Sequence, residues 1–147
     1  MKNAKKIVIA GDHYAVELVA KIEDYLAQKE IEFENMGSHS SDQKLALQEM
    51  IPSVVNKVSS EADGILVCGT GVGIEIGANR FKGVRASLCV SPRTAENARK
   101  YDNANVLCLS AWETNNPEDI LDAWFDSEYD GNTKRLEMLE EFDRWAK

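Results

Sequence analysis

The chain has 147 residues, 44% of them apolar and 29% charged, with a formal net charge of −8. That is enough chain for one domain with a proper core, and the acidity argues against non-specific nucleic-acid binding and against an anionic membrane surface. An anionic small molecule could bind only where local groups overcome the global field.

No run of about 18 apolar residues occurs, so no transmembrane helix is expected. The opening "MKNAKKIVIAGDH" reads as a first strand and not as a signal peptide, because its apolar run is short and meets Asp12 at once. Cys68, Cys89 and Cys108 are odd in number and widely spaced, with no C-x-x-C pair. They argue against a disulfide framework or a zinc site and for reduced thiols in a cytoplasm.

"KIVIAG" (6–11) is a short β-branched strand that stops at Gly11, and "AVELVAKIEDYLAQKE" (15–30) repeats apolar residues at the helical period. "IEFENMG" (31–37) alternates like a strand with one polar face. "SDQKLALQEMIPSVVNKVSSE" (41–61) reads as a helix, kinked or restarted at Pro52. "DGILVCG" (63–69) is a continuous apolar strand, "VGIEIGANRF" (72–81) a short helix and "VRASLCV" (84–90) a strand. "SPRTAENARKY" (91–101) is a helix with Ser91 as N-cap and Pro92 in the first turn. After the strand "NVLCLS" (105–110), the N-cap-then-Pro signal returns at Asn116 and Pro117 to open a helix over 116–129. "TKRLEMLEEFDRWAK" (133–147) is a final amphipathic helix. Its apolar face, Leu136, Leu139, Phe142 and Trp145, packs either on a second subunit or back on its own sheet.

Strands alternating with helices call for a parallel sheet covered on both faces. The expectation is a Rossmann-like, three-layer α/β/α domain over residues 1–147, with a five-stranded parallel sheet and a C-terminal helix. No internal repeat, low-complexity segment or linker interrupts it.

Ligands of such sheets gather at the carboxyl ends of the strands. Two loops have that address: "GDH" (11–13) after the first strand and "CGTGVG" (68–73) after the third. The glycines of the second leave backbone N–H groups at a helix N-terminus, with its partial positive charge, a concavity suited to phosphate or a developing oxyanion. A dinucleotide fingerprint is not expected, because it belongs after the first strand with an acidic residue about 20 positions on. No Walker loop occurs. Cys68 is the sharper object. A thiolate at a helix N-terminus beside an oxyanion-binding loop could remove a proton from a carbon next to a carbonyl; the bland alternative is a small buried core residue. Thr70 either orients a substrate hydroxyl or bonds the turn backbone. Glu75 reads as a solvated side chain on the following helix, with a role as base its alternative, His39 as a solvated loop residue, and Cys89 and Cys108 as core.

The segments "IAGDH", "ILVCGTGVGIEIGANRFKGVRA", "NANVL" and "AWFDSEYDG", in that order, resemble the sugar-phosphate isomerases that include ribose-5-phosphate isomerase type B and the two subunits of galactose-6-phosphate isomerase. The resemblance spans nearly the whole chain. It implies a dimer or tetramer with active sites between subunits, and metal-free aldose–ketose isomerisation through a cis-enediolate. It implies further that Cys68 is the base, that Thr70 assists proton movement and that the amides of Gly69, Thr70, Gly71, Val72 and Gly73 form the anion hole. By the same resemblance Asp12 and His13 contact substrate, and Tyr101 and Asn103 lie in the segment that touches the sugar.

The chain departs from that pattern. Ribose-5-phosphate members carry His-Asn-Asp before the "NVL" strand, with the histidine held to open the sugar ring, where this chain has Tyr101, Asp102 and Asn103. A tyrosine of ordinary pKa ~10 is a poor proton shuttle near neutral pH. Trp112 stands where those members have an arginine, Thr133 and Glu137 where they have a phosphate clamp, and "SDQKLALQ" where they have Asp-Tyr-Pro. Three readings account for this: a homomeric isomerase of an atypical sugar or sugar phosphate that needs no ring opening, with Arg93, Arg99, Lys134 or Arg135 holding any phosphate; the cysteine-bearing subunit of a heteromeric galactose-6-phosphate-type enzyme; or a non-catalytic sugar-binding relative. The intact Cys68–Thr70 pair weighs against the third, since binding alone needs no thiol there. The resemblance implies no cofactor, no metal, and neither a nucleic-acid nor a membrane partner.

Overall fold

The computed structural model describes residues 4–146. Five parallel strands and six helices follow one another as β1 (Lys6–Gly11), α1 (Val16–Gln28), β2 (Phe33–Asn35), α2 (Leu47–Val55), β3 (Ala62–Cys68), α3 (Val72–Ala78), β4 (Ala86–Leu88), α4 (Pro92–Asp102), β5 (Val106–Ser110), α5 (Pro117–Asp126) and α6 (Thr133–Trp145). The sheet order is β2-β1-β3-β5-β4. The chain leaves β1 toward one edge and returns past it to β3, so the carboxyl ends of β1 and β3 border the switch in winding direction, where α/β sheets form a crevice.

The period of two sorts the strand residues into two cores. Ile7, Ile9, Ile65, Val67, Leu107 and Leu109 face one side with residues of α1, α4 and α5, Trp124 among them at full burial. Val8, Ala10, Leu66, Cys68, Val106 and Cys108 face the other, with α2 and α3. All seven residues of β3 are buried, which is why that strand reads as an unbroken apolar run. The expected three-layer, doubly wound architecture is present.

The differences are local. The segment 41–46 is not helical, and α2 starts only at Leu47. Pro52 does not restart that helix but lies inside it, among the buried residues Met50, Ile51, Val54 and Val55, whose burial offsets the lost backbone bond. β2 is three residues long. Ser91 caps α4 by accepting the Thr94 N–H at 3.2 Å, as expected. Asn116 does not cap α5 through its side-chain oxygen; its amide instead donates to Asp119 at 2.7 Å. Within one chain α6 buries only Leu139, leaving Leu136, Phe142 and Trp145 40%, 44% and 67% exposed. It ends at Trp145, and Lys147 lies outside the described residues.

Candidate active site

The β1 and β3 exits meet at the switch point. Asp12 follows β1, and its N–H donates to the Val67 carbonyl of β3 at 3.2 Å. Its carboxylate turns back to accept the Tyr14 N–H at 3.0 Å, an Asx turn that ends the strand. The side chain is buried, and burial holds the carboxyl above the usual carboxylate range, against the lowering effect of the Tyr14 N–H, of neighbouring His13 and of the Ala15 N–H. His13 Nδ1 is covered and has no hydrogen-bond partner among the described residues. A buried polar atom left unpaired costs about 1–3 kcal/mol, so this loop is short of a partner.

Cys68 is the last residue of β3 and only 4% exposed. Its Sγ accepts the Gly71 N–H at 3.2 Å. Thr70 Oγ1 accepts the Val72 N–H at 3.1 Å, so its hydroxyl proton remains to be donated. Two of the loop amides are thus engaged locally, which narrows any anion hole to the others, those of Thr70 and Gly73 among them. Two glycines are tightly placed, and Gly71 also by its backbone. Gly71 has φ +78°, and a Cβ there would meet Leu88 Cδ1 at 2.6 Å. A Cβ on Gly69 would stand 2.7 Å from the Trp112 ring.

The exit of β5 clamps this loop from the other side. Ser110 Oγ donates to the Gly69 carbonyl at 2.7 Å and accepts the Glu113 N–H at 3.1 Å. The Ala111 N–H donates to the Cys68 carbonyl at 2.8 Å and the Trp112 N–H to that of Gly69 at 3.1 Å. Ser110 was not among the expected site residues, although a serine closing an apolar strand is a visible signal of a buried hydroxyl with a job.

Glu75 corrects an expectation. It is half-buried, and its carboxylate accepts the Leu88 N–H of β4. Asn79 does the same one step earlier, accepting the Ala86 N–H at 2.8 Å and donating to the Ala86 carbonyl at 2.9 Å. Together they satisfy the open edge of β4, the outermost strand, so Glu75 is part of the fold and not a solvated charge. Cys89 and Cys108 are core as expected: burial pushes the Cys89 thiol up to about 11 and that of Cys108 well above its ordinary value.

Within one chain the structure places Asp12, His13, Cys68, Gly69, Thr70, Gly71, Val72 and Gly73 at the adjoining carboxyl ends of β1 and β3, with the Cys68 side chain in the core on the α2 and α3 side, but it does not bring Tyr101 and Asn103 there. Those two lie at the end of α4, before β5, and β5 separates them from the crevice by its length, five residues at about 3.3 Å each. Tyr101 is 40% exposed. Asn103 is the left-handed C-cap of α4, and its carbonyl accepts Arg85 Nε at 2.6 Å. Of the cations considered for phosphate, Arg99 is committed to Asp63 and the Ala104 carbonyl at that same end. Arg135 is tied to Asp102 and to the Tyr101 carbonyl. Arg93 and Lys134 are exposed.

Residues 7–139 match the sequence profile described as Ribose/Galactose Isomerase. The chain belongs to the ribose/galactose isomerase family. The ribose-5-phosphate isomerase B of Escherichia coli is 33% identical over 140 residues, 92% of this chain and 94% of that one. The ribose-5-P isomerase B of Listeria innocua is 33% identical over 150 residues, 95% and 97% of the two chains. Among solved structures, the ribose 5-phosphate isomerase of Thermotoga maritima superposes with a TM-score of 0.89 at 38% identity, covering 95% of this chain and 98% of its own. That of Mycoplasma genitalium, crystallised with bound ribulose-5-phosphate, gives 0.88 at 35% identity, covering 95% of each chain. As a member of the ribose/galactose isomerases the chain is an enzyme of the aldose–ketose isomerase class, and the family resemblance read from "CGTGVGIEIGANR" is confirmed. Among the described residues no group of three or more His, Cys, Asp or Glu side chains is placed to hold a metal ion.

Proposed function

We propose that this chain interconverts the aldose and ketose forms of a small sugar or sugar phosphate with Cys68 as general base. The carrying observation is the placement of the Cys68 sulfur at the switch-point end of β3, with the Gly71 N–H directed at it at 3.2 Å. The thiolate takes the proton from the carbon next to the carbonyl. The electron pair moves into the carbon–carbon bond and the carbonyl becomes the enediolate oxygen, stabilised by loop amides not engaged by Cys68 or Thr70. Thr70 moves the proton between the two oxygens. Return of the proton to the neighbouring carbon completes an exchange in which nothing is oxidised or reduced overall. Asp12 and His13 hold sugar hydroxyls, which would give His13 Nδ1 the partner it lacks. The ribulose-5-phosphate bound to the Mycoplasma genitalium relative supports a sugar phosphate as the substrate class.

In deuterated water, solvent deuterium should enter the substrate at the carbon beside the carbonyl, and Cys68→Ala should abolish that exchange. Unchanged turnover in the variant removes Cys68 from the mechanism.

The active site is completed by a second chain. The separation of Tyr101 and Asn103 from Cys68 along β5 supports this, since those two could reach a sugar only from another subunit. A homodimer or tetramer meets the requirement, and so would a heteromer. Light scattering gives the assembly. Assay of the purified protein alone against four- to six-carbon sugars and their phosphates separates the two, because robust activity without a partner eliminates the heteromer. Three free thiols fit a reducing compartment, and we place the protein in the cytoplasm.

A further inference from the structure

Two exposed aromatic rings stand at the mouth of the crevice, and the isomerisation steps leave both unused. Trp112 lies over Gly69, the residue after the thiol, and is 60% exposed. Tyr14, next to His13, is 58% exposed. The two rings meet edge to face, centroids 5.5 Å apart at 70°, and Tyr14 in turn lies 4.1 Å from the His13 imidazole. The loops that carry the two rings and the thiol, "GDHYA", "CGTGVG" and "SAWET", contain no Lys or Arg but include Asp12 and Glu113.

We propose that Trp112 and Tyr14 form an aromatic corner that packs against the C–H face of the sugar's carbon chain. The two rings then determine which sugars are accepted, and the part of the substrate lying against them carries no phosphate. This rests on the isomerase reading above. An aromatic face carries partial negative charge and attracts the weakly positive C–H groups of a sugar ring or chain, whereas it repels a phosphate. The acidic surroundings add to that repulsion. The alternative occupant is a protein surface. Two rings of about 150–250 Å² each fall far short of the ~800 Å² per partner that a stable interface needs. An apolar wall beside a few polar groups, here Thr70 Oγ1, Asp12 and the unpaired His13 Nδ1, is the make-up of a small-molecule site.

The test is a kinetic comparison of Trp112→Ala, Trp112→Phe and Tyr14→Ala on the full-length protein, with the sugar panel above. Trp112→Ala should raise KM about two- to ten-fold with kcat within about two-fold, the signature of contact kept through the reaction. Trp112→Phe should restore KM to near the native value, and Tyr14→Ala should raise it less. Tryptophan emission of the native protein should change on adding an unphosphorylated aldose, and the change should vanish in Trp112→Phe. An unchanged KM in Trp112→Ala, or dissociation of the assembly in its place, overturns the proposal. Should Trp112→Ala not fold, Tyr14→Ala decides by the same criteria. If the native protein exchanges no substrate hydrogen with any sugar, the isomerase reading fails, and the emission titration alone then decides whether the corner binds sugar.

Discussion

The amino end of the sheet pairs its buried charge with a partly buried cation, and among the described residues the carboxyl end does not. At the amino end Asp63, 3% exposed, is gripped by Arg99 at 3.2 Å. Arg99 also donates to the Ala104 carbonyl at 2.6 Å and lies 4.8 Å over the Trp124 ring. Asn105 binds both the Arg85 N–H and the Gly83 carbonyl. These contacts join β3, α4, α5 and the loop before β4 in one lock. At the carboxyl end the loops are held by backbone bonds, and the groups gathered there carry no ion pair among the described residues: a buried thiol, a hydroxyl with its proton to donate, a covered and unpaired imidazole nitrogen and two exposed rings. Buried atoms without a hydrogen-bond partner occur at both ends, Asp63 Oδ1, Arg99 Nε and Trp124 Nε1 in the Arg99 cluster and His13 Nδ1 beside β1, so the ends differ in charge pairing and not in how fully their polar atoms are satisfied.

The largest effect on activity without loss of stability falls at Cys68. Cys68→Ala should lower kcat/KM by at least about a hundred-fold, the usual loss for a general base, while thermal unfolding stays near that of the native protein. Arg99→Ala should show the reverse. It strands a buried carboxylate, so chemical denaturation should report a loss of about 3 kcal/mol, with KM for substrate little changed in whatever remains folded. Asp63→Asn, which removes the charge and keeps the shape, should be milder. If Arg99→Ala abolished activity without loss of stability, the amino end would have to be counted as part of the site.

Gly71→Ala tests whether the loop is backbone-determined. A side chain at φ +78° is strained by about 1–3 kcal/mol, and its Cβ would press on Leu88 Cδ1 at 2.6 Å. Both stability and activity should fall together, because the Gly71 N–H that reaches Cys68 moves with the strain. A variant stable but inactive would show that the loop tolerates the new geometry and that the amide direction alone matters.

Much of this was legible in the chain. The apolar strands β1, β3 and β5, the Ser91–Pro92 helix start and the thiol at a strand end all follow from local periodicity and local chemistry. What was not legible depends on partners distant in sequence. Glu75 looks like any helical surface acid until β4, whose N–H it takes, is placed beside it. Ser110 and Trp112 gain meaning only when β5 is laid against β3, 41 residues from Gly69 in the case of Ser110. Pro52 reads as a helix break because the pattern cannot show how well its neighbours pack. Tyr101 and Asn103 look adjacent to the sugar by family resemblance, and a single chain holds them a strand length away.

The smallest effect expected separates the two buried carboxylates. Burial raises both Asp12 and Asp63 above the ordinary value of 3.8, but Asp63 has Arg99, Lys5 and Arg85 pulling it down, whereas Asp12 has only backbone N–H groups and His13. A raised carboxyl holds its proton in the folded state at pH values where the unfolded chain has already released it. Stability contributed by that proton is therefore present in acid and is lost as pH rises from 3.8 through the folded value. Asp12→Asn removes this slope while its side-chain oxygen still accepts the Tyr14 N–H. Denaturation curves collected from acid to neutral pH should thus show the stability of Asp12→Asn, relative to the native protein, increasing toward neutral pH. A variant that instead loses stability relative to the native protein as pH rises would mean that the Asp12 charge is stabilised in the fold, by a counter-charge from a second chain.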